Sequence, residues 1–436
     1  MDTGLIKNCT VVNPDGVFDA DVYVNEDLYI EQIGKPGTLE VHDPKIIEGT
    51  GRFLIPAGID PHVHLKLPTP AGPSCDDFNI GSFAAMMGGT GAIIDFVTPA
   101  RGQSLIEALD EREDESIACV IPLKFHMGIT WWNNAVAEEI RQCIEERGIT
   151  SFKVYLAYRN TIGLDFIQLK EVMKCLAYYG AVLAVHAEEG DQIQELQSKF
   201  VIEGKLEPKF HAYSRPPETE YNAVKKVIDL VRETGCKTYF VHMSTAESVR
   251  LIREAKKEGL PIFAETCPQY LLLDKEVYER FFVEVFAYII SPPIRGAEDR
   301  EELWKGLADG TIDCVSTDHC PFTLRQKMEG RFDFTKIPNG AGGLHYRMNL
   351  LFTHGVLQNR ISMQQFVQLT STNAARIFGF EDYGYIKAGT PSNLILWNTD
   401  YKDTISFKDS LTNADISIYD NFEIFGNAEK ILIHYA

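Results

Sequence analysis

Short runs of apolar residues alternate with amphipathic segments through the middle of this chain. Eight of these runs have the length and the β-branched content of strands: 55–62, 92–97, 118–126, 151–156, 181–186, 238–243, 261–266 and 312–317. The segment 135–146 is typical of the intervening helices, because Val136, Ile140 and Ile144 recur at four-residue spacing. Eight near-continuous apolar strands separated by helices predict a (β/α)8 TIM-type barrel over residues 56–379.

Both ends of the chain have a different pattern, in which short strands are separated by turn residues. Strand-like runs lie at 5–7, 10–12, 22–24, 28–30, 393–397 and 430–433, and Asn13-Pro14-Asp15-Gly16 is a turn sequence. Two β-rich ends that bracket one α/β core predict a discontinuous small β-sandwich domain. We expect residues 1–55 and 380–436 to form it.

Composition narrows the functional class. The 42 Lys and Arg residues against 62 Asp and Glu residues give a formal net charge of −20, which disfavours nucleic acid and anionic membranes as partners. No apolar run reaches the roughly 18 residues of a membrane span, and the start MDTGLIKNCTVVNPDG lacks the regions of a secretory signal peptide. Nine cysteines without a CxxC pair are typical of reduced thiols. We therefore expect a soluble, cytoplasmic protein.

Metal-capable side chains lie where several predicted strands end. They are His62, His64, Lys153, His186, His242 and Asp318. The C-terminal strand ends of a (β/α)8 barrel meet at one face, so these side chains are expected to converge there. His62 and His64 are two residues apart on one strand, which points both rings to the same side. Four imidazoles can serve two zinc-like ions, and the pattern predicts a two-metal hydrolase.

Two members of this set have alternative interpretations. The Lys153 ammonium would repel divalent cations, so it either extends away from the site or has reacted with carbon dioxide to form an anionic carbamate that bridges two metals. Asp318 can cap the N-terminus of the following helix. It can also ligate a metal and accept a proton from metal-bound water. Its coincidence with the other five residues favours the ligand role.

Seven motifs spread over nearly the whole chain resemble those of the dihydropyrimidinase/hydantoinase family of cyclic amidohydrolases, within the amidohydrolase superfamily. They are GIDPHVH (58–64), SCDDF (74–78), SFKVY (151–155), AVHAE (184–188), ETCPQY (265–270), ISPP (290–293) and TDHC (317–320). The resemblance implies two zinc ions per subunit, bridged by a carbamylated Lys153. One ion would be held by His62, His64 and Asp318. The other would be held by His186 and His242.

The resemblance also implies a reaction. A hydroxide that bridges the metals would attack the carbonyl of a cyclic ureide, either a 5,6-dihydropyrimidine or a hydantoin, and yield an N-carbamoyl amino acid. Tyr158 would hydrogen-bond the developing oxyanion. Asp318 would carry the water proton to the leaving ring nitrogen. Main-chain groups at Ser291 and Asn339 would hold the ring amide.

The loops after the first and fourth barrel strands are where the family selects the ring substituent. The resemblance implies that Leu65, Tyr155 and Ile162 shape this slot. Lys66 departs from the hydantoinase pattern, and dihydroorotases have an arginine there that binds the substrate carboxylate. Lys66 therefore either contacts an acidic group of the substrate or is a solvated loop lysine.

Three further readings stay open. Dihydroorotase and allantoinase activities are the enzymatic alternatives, although Tyr158 and the Ser-Pro-Pro and Pro-Asn-Gly turns favour a hydantoinase. A cytoskeletal scaffold of the collapsin-response-mediator type is the non-enzymatic alternative, but such relatives lack the metal ligands. The chain ends at Ala436 inside what resembles a late strand. Relatives continue with a tail that contacts another subunit, so we expect a homo-oligomer and leave dimer or homotetramer open.

Overall fold

The computed structural model describes residues 3–434, and its strands form two sheets. The N-terminal strands are β1 (Gly4–Asn13), β2 (Gly16–Val24), β3 (Ile30–Gly34), β4 (Ile46–Glu48) and β5 (Arg52–Pro56). The central strands are β6 (Gly58–Val63), β7 (Thr90–Val97), β8 (Leu123–Gly128), β9 (Ser151–Tyr155), β10 (Val182–His186), β11 (Lys237–Phe240), β12 (Ile262–Thr266) and β13 (Cys314–Val315). The C-terminal strands are β14 (Asn393–Thr404) and β15 (Glu423–Ile433).

Helices connect the central strands. The α-helices are Phe78–Met87, Leu105–Glu115, Asn134–Glu145, Phe166–Tyr179, Gly190–Ile202, Phe210–Tyr213, Pro217–Thr234, Ala246–Lys257, Pro268–Leu272, Phe282–Val285, Ala297–Asp309, Leu324–Met328, Arg347–Leu351, Met363–Val367 and Asn373–Phe378. Short 3-10 segments lie at Lys275–Glu279, Phe286–Tyr288, Phe334–Lys336, Leu344–Tyr346 and Phe407–Asp409, and π-helical segments at Phe352–Val356 and Gln368–Thr372. The helix predicted at 135–146 begins one residue earlier, because the Asn133 side chain caps it. Among the described residues, no helix is long and apolar enough to cross a bilayer.

The central strands confirm the predicted barrel. Strands β6 to β13 pair in parallel and in chain order, each with its neighbour in sequence. An isolated bridge between Val63 and His319 joins the first strand to the end of the last, where the His64 N–H donates to the His319 carbonyl at 2.8 Å. The C-terminal ends of all eight strands therefore open onto one face.

Side-chain hydrogen bonds complete the seam between β6 and β13, because β13 contains only two residues. The fully buried Arg347 guanidinium donates to the carbonyls of Ile59 and Val315, both at 2.8 Å. Nearer the open face, the Thr317 hydroxyl donates to Asp60 at 2.7 Å. These bonds hold the strand that contains His62 against the strand that leads to Asp318.

The remaining strands form a separate mixed sheet, as predicted for the two ends of the chain. Its order is β15-β14-β5-β1-β2-β3, with β4 beside β1. The predicted turn at 13–16 joins β1 to β2, and only the β1–β4 and β1–β5 pairs are parallel. Strand β15 ends at Ile433, and the prediction that the chain stops inside a strand falls on Ala436, outside the described residues.

All eight predicted barrel strands are present, and each differs from its predicted bounds by one to five residues. The first begins at Gly58 rather than at residue 55, because Ile55 pairs with Ile395 of β14 in the other sheet. The third begins at Leu123 rather than at residue 118, because the Val120 N–H is turned to the Ser82 hydroxyl at 2.9 Å and leaves the sheet. The sixth ends at Phe240, since His242 has a left-handed backbone, with φ at 43°. His242 therefore lies just beyond its strand.

Candidate metal centre and substrate cavity

The six metal-capable residues predicted from sequence lie together at the C-terminal face of the barrel. They line one cavity of about 700 Å³. Lys153 and His186 are the third residue of β9 and the last residue of β10, whereas His242 and Asp318 follow the ends of their strands. The topology of the barrel thus brings together side chains that are up to 256 residues apart (318 − 62).

Three ligand atoms converge at the β6 side of the cavity. The His62 Nε2 and His64 Nε2 atoms are 3.1 Å apart. Asp318 Oδ1 lies 3.1 Å from the first and 3.2 Å from the second. A tetrahedral zinc ion with bonds of about 2.0–2.1 Å separates neighbouring ligand atoms by roughly 3.3 Å. The spacing of these three atoms therefore fits a single metal ion.

A second pair of nitrogens faces the first group across the cavity. His186 Nδ1 and His242 Nε2 are 3.0 Å apart, and the rings of His242 and His62 are 5.5 Å apart between centroids. Two imidazole nitrogens that point to one place, next to a three-ligand group, fit a second ion.

Lys153 is buried at the same cavity, and its side chain does not extend to solvent. Its Nζ atom is 4.9 Å from the centroid of the Phe96 ring and 5.3 Å from that of Tyr155. Burial lowers the pKa of the Lys153 amine to about 8, against the opposing effect of the Glu265 and Asp318 carboxylates. A neutral amine, the form that reacts with carbon dioxide, is therefore accessible near neutral pH.

Two buried glutamates hold the histidines by the nitrogen that faces away from the cavity. Glu265 accepts from His62 Nδ1, and its two oxygens also accept the His242 main-chain N–H at 3.1 Å and the Tyr239 hydroxyl at 2.8 Å. Glu188 lies 2.7 Å from His186 Nε2. A carboxylate on the second ring nitrogen is typical of histidines that bind metal, because it fixes the tautomer and the ring orientation.

These glutamates were not predicted as site residues. Glu265 and Glu188 are part of the ETCPQY and AVHAE motifs, and a carboxylate at or just after the end of an apolar strand was the available indication. The Arg215 guanidinium donates to Glu188 at 2.6 Å. The guanidinium also lies 5.4 Å from the centroid of the Tyr158 ring. Arg215 therefore contacts both the glutamate that holds His186 and a residue that lines the cavity.

The charged groups of this cluster shift one another's pKa values. Burial acts to lower the pKa of His62, but the carboxylates of Glu265 and Asp318 raise it to about 9. Burial acts to raise the pKa of Asp318, whereas His62 and His64 hold it well below its usual value. Asp318 is therefore a carboxylate, the form that can ligate a metal or accept a proton.

Three residues around the cavity have a left-handed backbone, which is uncommon outside glycine. Their φ angles are 56° at Tyr158, 43° at His242 and 52° at Asp318. Such conformations cost on the order of 1–3 kcal/mol each and cluster at functional sites, where the surrounding structure enforces them. All three residues line the cavity.

Tyr158, Ser291 and Asn339 form one wall of the cavity, as the family resemblance implies. Among residues 3–434, no group hydrogen-bonds to the main-chain N–H or carbonyl of Ser291 or Asn339. Burial raises the pKa of Tyr158, and the nearby Arg215 charge opposes this shift. The Tyr158 hydroxyl thus keeps its proton and can donate it in a hydrogen bond.

Two of the three residues expected at the substituent slot, Tyr155 and Ile162, line the cavity. Leu65 does not, since its side chain is fully buried against Gly81 and its N–H donates to Asp95 at 2.8 Å. The residues of this loop that do reach the cavity are 67–71.

Lys66 also lies outside the cavity. Its side chain is 48% exposed, and its Nζ atom is 3.5 Å from the Glu115 carboxylate on a neighbouring helix. The backbone of Lys66 is left-handed, with φ at 49°, and its N–H donates to the Asp76 carbonyl, which together turn the side chain outward. Of the two interpretations of Lys66, this position agrees with a solvated loop lysine, and contact with an acidic group of the substrate stays an untested prediction.

The chain is similar to known proteins over almost its whole length. The model of the Amidohydrolase family matches residues 53–429. The D-hydantoinase of Geobacillus stearothermophilus is 37% identical over 433 residues, which cover 99% of this chain and 91% of that protein. The dihydropyrimidinase of Dictyostelium discoideum is 37% identical over 439 residues, covering 99% and 86%.

A solved structure agrees equally well. The crystal structure of dihydropyrimidinase from Brevibacillus agri has a TM-score of 0.96 and 36% sequence identity, covering 99% of this chain and 94% of that one. The family match, the relatives that align over nearly the whole chain and the structural similarity all indicate the same protein family. The chain belongs to the dihydropyrimidinase/hydantoinase family of cyclic amidohydrolases.

Proposed function

We propose that this protein is a zinc-dependent enzyme that opens a cyclic ureide to an N-carbamoyl amino acid. The ring is a 5,6-dihydropyrimidine or a hydantoin. The observation that carries the proposal is the convergence of His62, His64 and Asp318 at spacings that suit one zinc ion, opposite the pair His186 and His242. The names of the full-length relatives support the same reaction class.

Two zinc ions and a carbamate on Lys153 form the proposed cofactor. One ion would be held by His62, His64 and Asp318 and the other by His186 and His242, and a carbamate on Lys153 would be a ligand of both. The lowered pKa of Lys153 and its burial without an ion pair among the described residues support this modification. When bound, two such ions polarise a carbonyl oxygen and lower the pKa of a coordinated water.

The protein's own residues then move a proton and hold the ring. Asp318, ionised and at the edge of the ligand cluster, accepts the proton of the attacking water. It delivers that proton to the ring nitrogen as the amide bond breaks, because an amide nitrogen leaves poorly without protonation. The Tyr158 hydroxyl donates to the oxygen on which negative charge develops.

Main-chain groups orient the substrate against this machinery. The free N–H and carbonyl groups of Ser291 and Asn339 pair with the ring amide, which carries one donor and one acceptor. Tyr155 and Ile162 contact the ring substituent together with the loop 67–71. The outward position of Lys66 removes the reason to favour a ring that carries a carboxylate.

The test is a side-by-side assay of ring opening with dihydrouracil, hydantoin, allantoin and dihydroorotate, with the metal content measured on the same sample. Turnover of dihydrouracil or hydantoin with about two zinc ions per chain supports the proposal. Turnover of allantoin or dihydroorotate alone assigns the chain to another cyclic amidase. Zinc-loaded protein that opens none of the four rings would refute the proposed reaction.

We also propose that the enzyme acts in the cytoplasm as a homo-oligomer, a dimer or a tetramer. Nine free cysteine thiols support a reducing compartment. Residues 1–55 and 380–436 are proposed to fold as one domain beside the barrel domain of 56–379. The mass of the native particle, measured by light scattering, distinguishes the assemblies.

A further inference from the structure

A short helix, Leu324–Met328, lies beside the substrate cavity and is firmly anchored at its start. Thr323 caps it, and the Gln326 side chain returns to the Thr323 N–H at 2.9 Å, which completes a capping box. The same Gln326 side chain donates to the Pro73 carbonyl at 2.8 Å. The helix is thus fixed to the segment that follows the cavity-lining residues 67–71.

The next residue of this helix, Lys327, is buried, with 1% of its surface exposed. Its Nζ atom donates to the Ile289 carbonyl at 2.8 Å and to the Gly340 carbonyl at 2.6 Å. Among residues 3–434, no carboxylate forms an ion pair with Lys327. The centroid of the Phe322 ring lies 5.9 Å from Nζ. Burying a polar amine costs free energy unless it is hydrogen-bonded, and here the two main-chain carbonyls provide the hydrogen bonds.

These carbonyls belong to the two loops that carry the proposed ring-binding groups. Ile289 lies two residues before Ser291, and Gly340 directly follows Asn339. The Gly340 N–H also donates to the Ile289 carbonyl at 3.0 Å, so Lys327 reinforces a direct contact between the loops. This contact between the two loops, with the Lys327 amine bonded to both, is called the junction below. The distance between the Ser291 and Asn339 main chains depends on it.

The junction is also packed against the residues that follow Asp318. A side-chain carbon at Gly340 would collide with the Cys320 carbonyl, and Gly340 has a φ of +150°, so glycine permits this approach. The Cys320 N–H donates to the Ala341 carbonyl at 2.9 Å. One side of the junction thus holds the ring-binding loops, and the other side touches the segment of the proton-accepting carboxylate.

We propose that Lys327 is a positioning residue that sets the separation of the Ser291 and Asn339 main-chain groups and so determines how tightly the ring amide is bound. This role rests on the proposed function, since it assumes that these groups hold the ring. It is independent of the substituent, because Lys327 does not line the cavity.

The test compares Lys327→Met with Lys124→Met. Lys124 offers a matched control: its Nζ atom also donates to two main-chain carbonyls, those of Phe378 and Gly379 at 3.2 and 2.5 Å, away from the cavity. Loss of two hydrogen bonds to main-chain carbonyls is expected to raise KM about tenfold or more in Lys327→Met, with kcat per zinc-loaded site changed by less than about threefold. Lys124→Met should keep the wild-type KM.

Hydrogen exchange gives a readout that does not depend on activity. The amide of Gly340 reports the junction directly, because its N–H is bonded across the two loops. In Lys327→Met this amide and peptides around 286–294 should exchange faster, while Lys124→Met leaves them unchanged. If Lys327→Met does not fold, Lys327→Gln, which can keep one of the two bonds, is expected to give an intermediate KM and intermediate exchange.

The outcomes separate the positioning role from the reaction itself. Wild-type protein that opens no ring refutes the proposed function. A folded Lys327 variant with wild-type KM refutes the positioning role, whether or not its exchange is faster. A variant in which kcat and kcat/KM fall by the same factor, so that KM is unchanged, also refutes the positioning role, since that result indicates general damage to the site.

Discussion

Glu265 offers a sharp prediction, because one carboxylate supports a residue of each proposed metal site. Its Oε1 atom accepts from His62 Nδ1 and from the His242 main-chain N–H at 3.1 Å. Its Oε2 atom accepts the Tyr239 hydroxyl at 2.8 Å. The substitution Glu265→Gln keeps the size of this side chain and removes its charge.

The geometry decides how the glutamine would be oriented. An amide NH2 at the Oε1 position would face two N–H donors, whereas at the Oε2 position it faces a hydroxyl that can reverse and accept. The amide oxygen therefore takes the Oε1 position, and the hydrogen-bond pattern survives. What is lost is the negative charge behind His62. Loss of such a partner weakens metal binding about 10- to 100-fold, which corresponds to about 1.4–2.7 kcal/mol.

The assay is competition between the protein and a chelator of known zinc affinity, performed on wild type and variant at one pH. The matched control is Glu302→Gln, a largely buried glutamate that pairs with Arg253 on the outer helices. The control should bind zinc as wild type does. Zinc affinity of Glu265→Gln within twofold of wild type, in a protein with unchanged Tm, would refute the role of this carboxylate.

Two further substitutions test the cavity walls. Tyr158→Phe should lower kcat by about 10²–10³ with little change in zinc content, because one oxyanion donor is removed; a kcat within a factor of three of wild type, from initial rates at saturating substrate, would contradict this. Lys66→Gln should change kcat/KM less than twofold for neutral and acidic rings alike, because its Nζ atom faces Glu115 and is exposed; a selective loss on dihydroorotate would instead bring Lys66 into the cavity.

The barrel and the ligand cluster were predictable for the same reason. A parallel barrel imposes long apolar strands on the sequence, and each strand ends where polar chemistry begins, so a residue such as His186 is identified by its position after VLAV. His62 and His64 needed only the two-residue period of a strand. These features are local, and the sequence contains them in full.

The features that were missed depend on distant partners. Leu65 and Lys66 directly follow the paired histidines, yet their direction is set by Asp95 and Glu115, from the next strand and helix. The end of β11 depends on the left-handed backbone of His242, which no strand pattern reveals. The sequence pattern does not predict the burial of Lys327 either, because a lysine in a short helix is typical of a solvated face.

The most direct measurement of the central claim is ring opening during zinc reconstitution. Metal-stripped protein is titrated with zinc in bicarbonate buffer, and the opening of dihydrouracil and hydantoin is followed at each ratio of zinc to chain. We expect no turnover without metal and a plateau at about two zinc ions per chain, with no such plateau for Lys153→Met. Full activity in the stripped protein, or no activity at two bound zinc ions, would contradict it.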